Sequence, residues 1–214
     1  MKVAKKRDGE LISSIKVIVG LLYFFLIFVC FFYLDKLLFN WIQSGSDSSF
    51  HNKLAGFFSA YGRLEWSTLL FSLIFLIFAI DLRNREKYLN LAKICFLGGI
   101  LAGISVWPPK TILGRERPRG SGNDSLHYFK FDPRKDSLFY SLPSGHAASS
   151  MGSAFPVFMA NPMLGTPLVI LAILTGWSRI ELYEHWPSDV LTGWLIGIIS
   201  GYWIFKRNLR SNSV

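Results

Sequence analysis

The sequence predicts an all-α membrane protein: one domain over residues 1–214, built as a bundle of six transmembrane helices. Three observations carry that expectation. Apolar runs recur six times with short connections between most of them. Hydrophobic residues make up 51% of the chain and charged residues only 17%, against about 25% charged in an ordinary soluble domain. Basic residues mark one set of segment ends and tryptophans mark the other.

Taken in order, Lys2, Lys5, Lys6 and Arg7 precede the first span, 17–34, which is long enough to cross a bilayer. No small-residue cleavage site follows it, so it reads as a retained span and not a signal peptide. Ser44-Gly45-Ser46-Asp47-Ser48-Ser49 predicts a loop. Beyond it, Phe50, Leu54, Phe57, Phe58 and Tyr61 recur at helical spacing, as in an amphipathic helix that lies in the interface and gives lipid access. The second span, 66–80, ends in a turn carrying Arg83, Arg85 and Lys87, and Pro108-Pro109 stops the third, 93–107. The segment from Lys110 to Ser141 is too rich in charge to be buried. The fourth span, 146–161, fades at Asn161-Pro162, and the fifth covers 167–178. The sixth, 187–205, opens on Pro187, a residue tolerated at the first helical position. Cys30 and Cys95 fall inside apolar runs, which argues against a disulfide framework.

The charge fixes an orientation. The N-terminus, the turn after the second span and the C-terminus together hold ten Lys and Arg, which places them in the cytoplasm under the positive-inside tendency. Trp66, Trp107, Trp177 and Trp186 fall at the opposite ends, as an interfacial belt would. The net charge of +9 does not mark a nucleic-acid binder, because no basic aromatic repeat or zinc-finger spacing accompanies it. Seven further Lys and Arg between Lys110 and Ser141 lie on the non-cytoplasmic side. They require a chemical reason.

Helix parity supplies one. With six spans, the third ends, the fourth begins and the fifth ends at one surface, and each of those places carries a polar block. The first is Lys110-Thr111-Ile112-Leu113-Gly114-Arg115-Glu116-Arg117-Pro118, and the second is Pro143-Ser144-Gly145-His146. The third runs from Ser178-Arg179 to His185 and Asp189. Lys110, Arg117 and Arg179 can hold the oxygens of a phosphate and stabilise charge spread over them in a transition state. Ser144 is placed to cap the fourth helix, and Gly145 lets backbone N–H groups approach an anion. Asp189, four residues after His185, can fix that imidazole's tautomer. One histidine can attack phosphorus while the other protonates the leaving oxygen and later activates water. Taken singly, each block also fits a plain role: an ion-paired histidine with a snorkelling arginine, a turn before a helix, a charged loop. All three in order on one face leave those roles little room.

With no substitution at the fixed positions, the blocks match Lys-x6-Arg-Pro, Pro-Ser-Gly-His and Ser-Arg-x5-His-x3-Asp, separated by 24 and 31 residues. In this the sequence resembles the type 2 phosphatidic-acid phosphatase superfamily. The resemblance implies that His185 forms a phosphohistidine, that Asp189 orients it, and that His146 is the general acid. It also implies that Lys110, Arg117 and Arg179, with Ser144 and Gly145, clamp the phosphate, and that neither metal nor other cofactor takes part. The expected function is hydrolysis of a phosphate monoester or pyrophosphate on a membrane lipid: a polyprenyl pyrophosphate such as undecaprenyl pyrophosphate, lipid A, phosphatidic acid or phosphatidylglycerol phosphate. The bacterial inner membrane is the expected location, with both termini cytoplasmic and the site periplasmic. The competing class is a non-enzymatic lipid-phosphate binder or transporter that keeps the cationic pocket. Such a protein should carry ionisable residues along a path through its spans, and these runs have almost none.

Overall fold

The computed structural model describes residues 2–45, 49–120 and 137–211, and every regular element among them is helical. The predicted loop residues 46–48, and most of the segment between the first two blocks (121–136), lie outside the described residues. The first rod is longer than its apolar run. Helix α1 (Lys2–Val29) passes through a π-helical turn (Cys30–Leu34) directly into α2 (Asp35–Ser44). A wider turn changes which side chains face inward, and Cys30, Asp35 and Phe39 are buried there. Upstream, Leu21, Leu22, Phe24 and Phe25 remain exposed, as expected of a rod whose solvent is lipid. Tyr23 leans on the last helix, its hydroxyl donating to the Leu191 carbonyl at 2.9 Å.

Helix α3 (Ser49–Tyr61) is present as expected but presents a different face. Small residues, Ala55 and Ser59, are buried, and α3 packs against α8, while Phe50 and Phe57 point outward. It is followed by a second π-helical turn (Glu65–Leu70) and α4 (Phe71–Phe78), bent by more than 40° from α3. Then come α5 (Arg85–Ser105), the short α6 (Trp107–Leu113), a 3-10 turn (Ser137–Phe139), α7 (Gly145–Ala160), α8 (Pro162–Glu181) and α9 (Pro187–Ser211).

Helix α7 is the axis of the bundle, packed against α5, α8 and α9 and buried from Ala147 through Ala154. Close approach is possible because the facing residues are small. A Cβ on Gly98 of α5 would lie 2.2 Å from the Gly152 carbonyl. On α9, Gly193 and Gly197 would meet the carbonyls of Ser144 and Ala148 at 2.5 and 2.7 Å. Phe75, Ile94, Met151, Val157 and Leu168 fill the space between helices toward the end away from the polar blocks.

Among the described residues, four helical stretches are long and apolar enough to cross a membrane: Val17–Ser44, Arg85–Leu113, Pro162–Glu181 and Pro187–Arg210. The bent α3–α4 pair makes a fifth if counted as one span. The protein is therefore read as an integral membrane protein, and the expected six spans become four or five by length and composition. Helix α7, at 16 residues, is about 24 Å long at 1.5 Å per residue. It is wrapped by protein and built from Ala, Ser and Gly, so it lacks the length and apolarity of a lipid-facing span. The tryptophan belt is also only partly as expected. Trp66 and Trp107 are exposed, whereas Trp186 is 2% exposed and forms part of the interior. Cys30 and Cys95 are both buried thiols with no disulfide.

Candidate active site

The first block turns on one glycine. Gly114 ends α6 in the left-handed conformation (φ 55°, ψ 39°), which only glycine adopts without a Cβ penalty. The chain leaves the helix there with Lys110 in its last turn and Arg115 and Arg117 just beyond. Buried Lys110 donates through Nζ to the Tyr140 carbonyl at 3.0 Å, and Arg117 reaches that carbonyl at 3.5 Å. Arg117 Nε also donates to the Ser137 carbonyl at 2.9 Å.

In the second block, Ser144 takes the N-cap position of α7 with extended backbone (φ −72°, ψ 115°). The expected side-chain cap is not made: Oγ is buried without a hydrogen-bond partner. The Ser144 N–H instead donates to the Asp189 carbonyl at 3.0 Å, so the start of α7 is tied to the start of α9. Gly145 and His146 open α7, and Gly62 packs flush on His146, since a Cβ there would lie 3.1 Å from the histidine Cβ. The charges of Arg179, Lys110, Arg117 and Arg63 all act on His146.

The third block closes on itself. Arg179, in the last turn of α8, hydrogen-bonds the Ser59 hydroxyl on α3. Tyr183 then takes φ 56°, uncommon for a side-chain-bearing residue, and turns the chain back. As a result the N–H groups of Glu184 and His185 both donate to the Arg179 carbonyl, at 3.0 and 3.1 Å. His185 is 1% exposed, with Nδ1 3.7 Å from Asp189 Oδ2, a charge-pair distance longer than a hydrogen bond. Burial holds the imidazole well below its ordinary pKa of 6.5; Asp189 opposes the shift, and Lys110, Arg117 and Arg179 reinforce it. His185 therefore rests neutral, with Nε2 on the ring side away from the carboxylate.

Two groups join the three cations at one rim. Lys110 and Arg117 share the Tyr140 carbonyl, and Arg117 and Arg179 share the Glu184 carboxylate, Arg179 at 3.5 Å. Arg119 adds a further contact to Glu184 at 2.8 Å. The structure thus brings Lys110, Arg117, Arg179, Ser144, Gly145, His146, His185 and Asp189 to one end of the bundle. A cavity of about 390 Å³ opens beside them, with Leu64, Ile100, Ile104 and Trp107 along its apolar length and Lys110, Arg117 and Gly145 at its polar end. Lipid access was expected through the Phe50–Tyr61 helix; the residues lining this cavity are Leu64, just beyond that helix, and residues of α5 and α6 on its other side.

Several partners were not anticipated from the sequence. Arg115, expected in a solvated loop, is fully buried between two carboxylates, Asp189 and Asp35, at 2.6 Å each. Asp189 also accepts from Ser141 and from the Trp186 N–H. Glu184 is the carboxylate at the rim. Arg115 and Glu184 lie inside the blocks, yet nothing in their spacing separates them from surface charges. Among the described residues, no group of three His, Cys, Asp or Glu side chains is placed to hold a metal ion.

The family model of the PAP2 superfamily matches residues 87–212. The chain belongs to the PAP2 superfamily. All three blocks lie within the PAP2 match, whereas α1 to α4 precede it. An undecaprenyl-diphosphatase of Sulfolobus acidocaldarius is 31% identical over 150 residues, 68% of this chain and 65% of that protein. A lipid A 1-phosphatase of Rhizobium johnstonii is 34% identical over 104 residues, 46% of this chain and 38% of the relative. The chain thus spans less than two thirds of the length of either curated relative. The solved structure of Aquifex aeolicus LpxE is similar with a TM-score of 0.60 and 26% identity, covering 82% of this PAP2 chain and 96% of that one.

Proposed function

We propose that this PAP2 protein is a phosphatase that removes a terminal phosphate from a lipid phosphate or diphosphate at the membrane surface, through a phosphohistidine on His185. The observation that carries the reading is the rim itself: three cations tied to one another through Tyr140 and Glu184, with two imidazoles under their charge. Ser144 Oγ and Arg179 Nε, both buried there without a hydrogen-bond partner, support it. Buried polar atoms ordinarily have a partner, and a phosphate oxygen would serve both.

In this reading Lys110, Arg117 and Arg179 hold the non-bridging oxygens, with Ser144 Oγ and the N–H groups at Gly145 completing the cradle. Nε2 of neutral His185 attacks phosphorus, and the bond from phosphorus to the leaving oxygen breaks. His146, protonated once the negative charge of the bound phosphate offsets the surrounding cations, gives that oxygen its proton. Asp189 stabilises the positive charge that appears on the His185 ring. Water, its proton taken by His146, then displaces the phosphate from Nε2 and restores the enzyme. No step calls for a metal or other cofactor. The lipid tail lies along the apolar cavity between Leu64 and α5.

Among lipid head groups, a prenyl diphosphate is the first choice, following the name of the Sulfolobus relative. The site faces the extracytoplasmic side, both termini are cytoplasmic, and six rods cross a bacterial inner membrane, α7 being the short sixth. The test is release of inorganic phosphate from farnesyl diphosphate and from phosphatidic acid by purified protein in detergent. Wild type should turn over at least one, with or without a chelator, and folded His185→Ala should lose nearly all turnover. Equal release by the two proteins would remove His185 from the chemistry. Tight binding without release would favour the binder or transporter.

A further inference from the structure

Asp35 lies on the first rod, in the segment that precedes the family match, within a largely apolar stretch that is mostly turned outward and whose other charged residue, Lys36, is exposed. A carboxylate buried in such a rod is costly unless its neighbours compensate for it. Every hydrogen-bond partner of Asp35 is a donor: Arg115 NH2 at 2.6 Å, Ser188 N–H at 2.8 Å, Ser188 Oγ at 2.6 Å and the Cys30 thiol at 3.5 Å. The guanidinium and the amide N–H can only donate, so the Asp35 oxygens accept from both, and Arg115 supplies the countercharge that lets the pair be buried. Arg115 in turn gives its other arm to Asp189 Oδ1 at 2.6 Å and to Ser188 Oγ at 2.7 Å. Its guanidinium lies 4.5 Å from the Phe31 ring centre and 5.7 Å from that of Trp186. One guanidinium is thus shared between a carboxylate that touches His185 and one that does not.

We propose that Asp35, acting through Arg115, is a positioning residue for the reaction, setting the orientation and the effective charge of Asp189 and through it the His185 imidazole. The proposal rests on the phosphatase reading. Two carboxylates and one guanidinium leave a net charge of −1 behind the neutral ring. When Nε2 takes the phosphoryl group the ring becomes positive, and the buried set becomes neutral overall. With Asp35 neutralised, the same step would end with a buried net charge of +1, and Arg115 would draw on Asp189 alone. The transition state would then lose stabilisation that the resting state does not need, which lowers kcat and not substrate binding. The shared fork also fixes the plane of the Asp189 carboxylate, whose Oδ2 has to close from 3.7 Å toward His185 Nδ1 as charge develops.

The experiment compares wild type, Asp35→Asn and Asp35→Glu with farnesyl diphosphate in detergent, measuring kcat and KM across pH and the thermal midpoint of each protein. Asp35→Asn should lose about 10- to 100-fold in kcat with KM within about twofold. Its acid limb should move to lower pH, because removing a negative charge disfavours the protonated imidazole. The other charges acting on His185 are Lys110, Arg117, Arg179 and Asp189, and all remain in place. Asp35→Glu should recover most of kcat and the original limb. If Asp35→Asn does not fold, Ser188→Ala loosens the same network and should lower kcat several-fold at unchanged KM. A folded Asp35→Asn with a lower midpoint but wild-type kcat and acid limb would make Asp35 merely structural and overturn the proposal. A wild type that releases no phosphate would overturn the phosphatase reading, and this proposal with it.

Discussion

Gly193→Ala tests whether the blocks act as one assembled site. Gly193 is on α9, one turn after Asp189, and faces the first turn of α7. A Cβ there would lie 2.5 Å from the Ser144 carbonyl, 3.1 Å from Ala147 Cβ and 3.3 Å from Ala148 N. Ordinary contact begins at 3.4 Å, so the backbone of Ser144 must retreat by roughly 0.9 Å, away from the helix that carries Asp189. The Ser144 N–H to Asp189 carbonyl bond would stretch by a similar amount. Overpacking of this kind costs about 1–3 kcal/mol of stability. A displacement of about 1 Å at a reacting centre costs on the order of 10²-fold in rate. Gly201→Ala is the control: its Cβ would meet Pro156 Cδ at 2.7 Å, on the same α9 face but about 12 Å further along the helix. Phosphate release from farnesyl diphosphate and thermal midpoints should be measured for both. Both variants should lose stability, and only Gly193→Ala should lose about 10²-fold in kcat. A folded Gly193→Ala with kcat within twofold of wild type, or an equal loss in Gly201→Ala, would refute the reasoning.

Glu184 holds Arg117 and Arg179 where phosphate is proposed to bind, so it competes with substrate. Glu184→Gln should lower KM and the inhibition constant for inorganic phosphate a few-fold, the solvent-reached rim limiting the effect; an unchanged phosphate inhibition constant would count against competition. His185 binds a proton in the folded protein only well below pH 6.5, whereas the unfolded chain binds it near 6.5. Between those values the unfolded state holds more protons, so stability falls as pH falls through that window, by at most about 1.4 kcal/mol per pH unit. The thermal midpoint of wild type should therefore drop more between pH 7 and pH 5 than that of His185→Gln, and parallel curves would contradict a neutral resting imidazole. Gly103 lines the apolar cavity, and a Cβ there would lie 3.1 Å from Ser149 Oγ. Gly103→Leu should raise KM for a long-chain prenyl diphosphate while sparing a short water-soluble one; equal effects on both would place the tail elsewhere.

Much of the site was legible because its residues announce themselves by type and interval. Lys110, Arg117, Arg179, His146, His185 and Asp189 lie at one end of the bundle, where the three blocks meet, and Pro187 does start α9. What parity cannot give is direction in three dimensions. Arg115 and Arg117 are two residues apart and both follow the left-handed turn at Gly114, yet one is buried between carboxylates and the other stays at the rim. Asp35, the first residue beyond the 17–34 run, drew no reading of its own, because the π-helical turn that precedes it has no sequence signature. Trp186 read as an interfacial anchor, but it packs on Phe39 and its Nε1 donates to the Glu116 carbonyl at 3.1 Å. The run 146–161 was legible as a helix and matches α7 (Gly145–Ala160) within a residue, but its enclosure by α5, α8 and α9 is a matter of packing that a run of residues does not encode.

The most direct measurement is to catch the phosphoryl group on the protein. Purified wild type and folded His185→Ala are mixed with farnesyl diphosphate labelled in its terminal phosphate, quenched in alkaline detergent within milliseconds to seconds, and examined for bound label. Wild type should carry a label that survives base and is lost in mild acid, as a phosphorus–nitrogen bond does, and peptide mapping should place it on His185; His185→Ala should carry none. Continued turnover in wild type with no such label, or a label that persists in His185→Ala, would contradict attack by this imidazole.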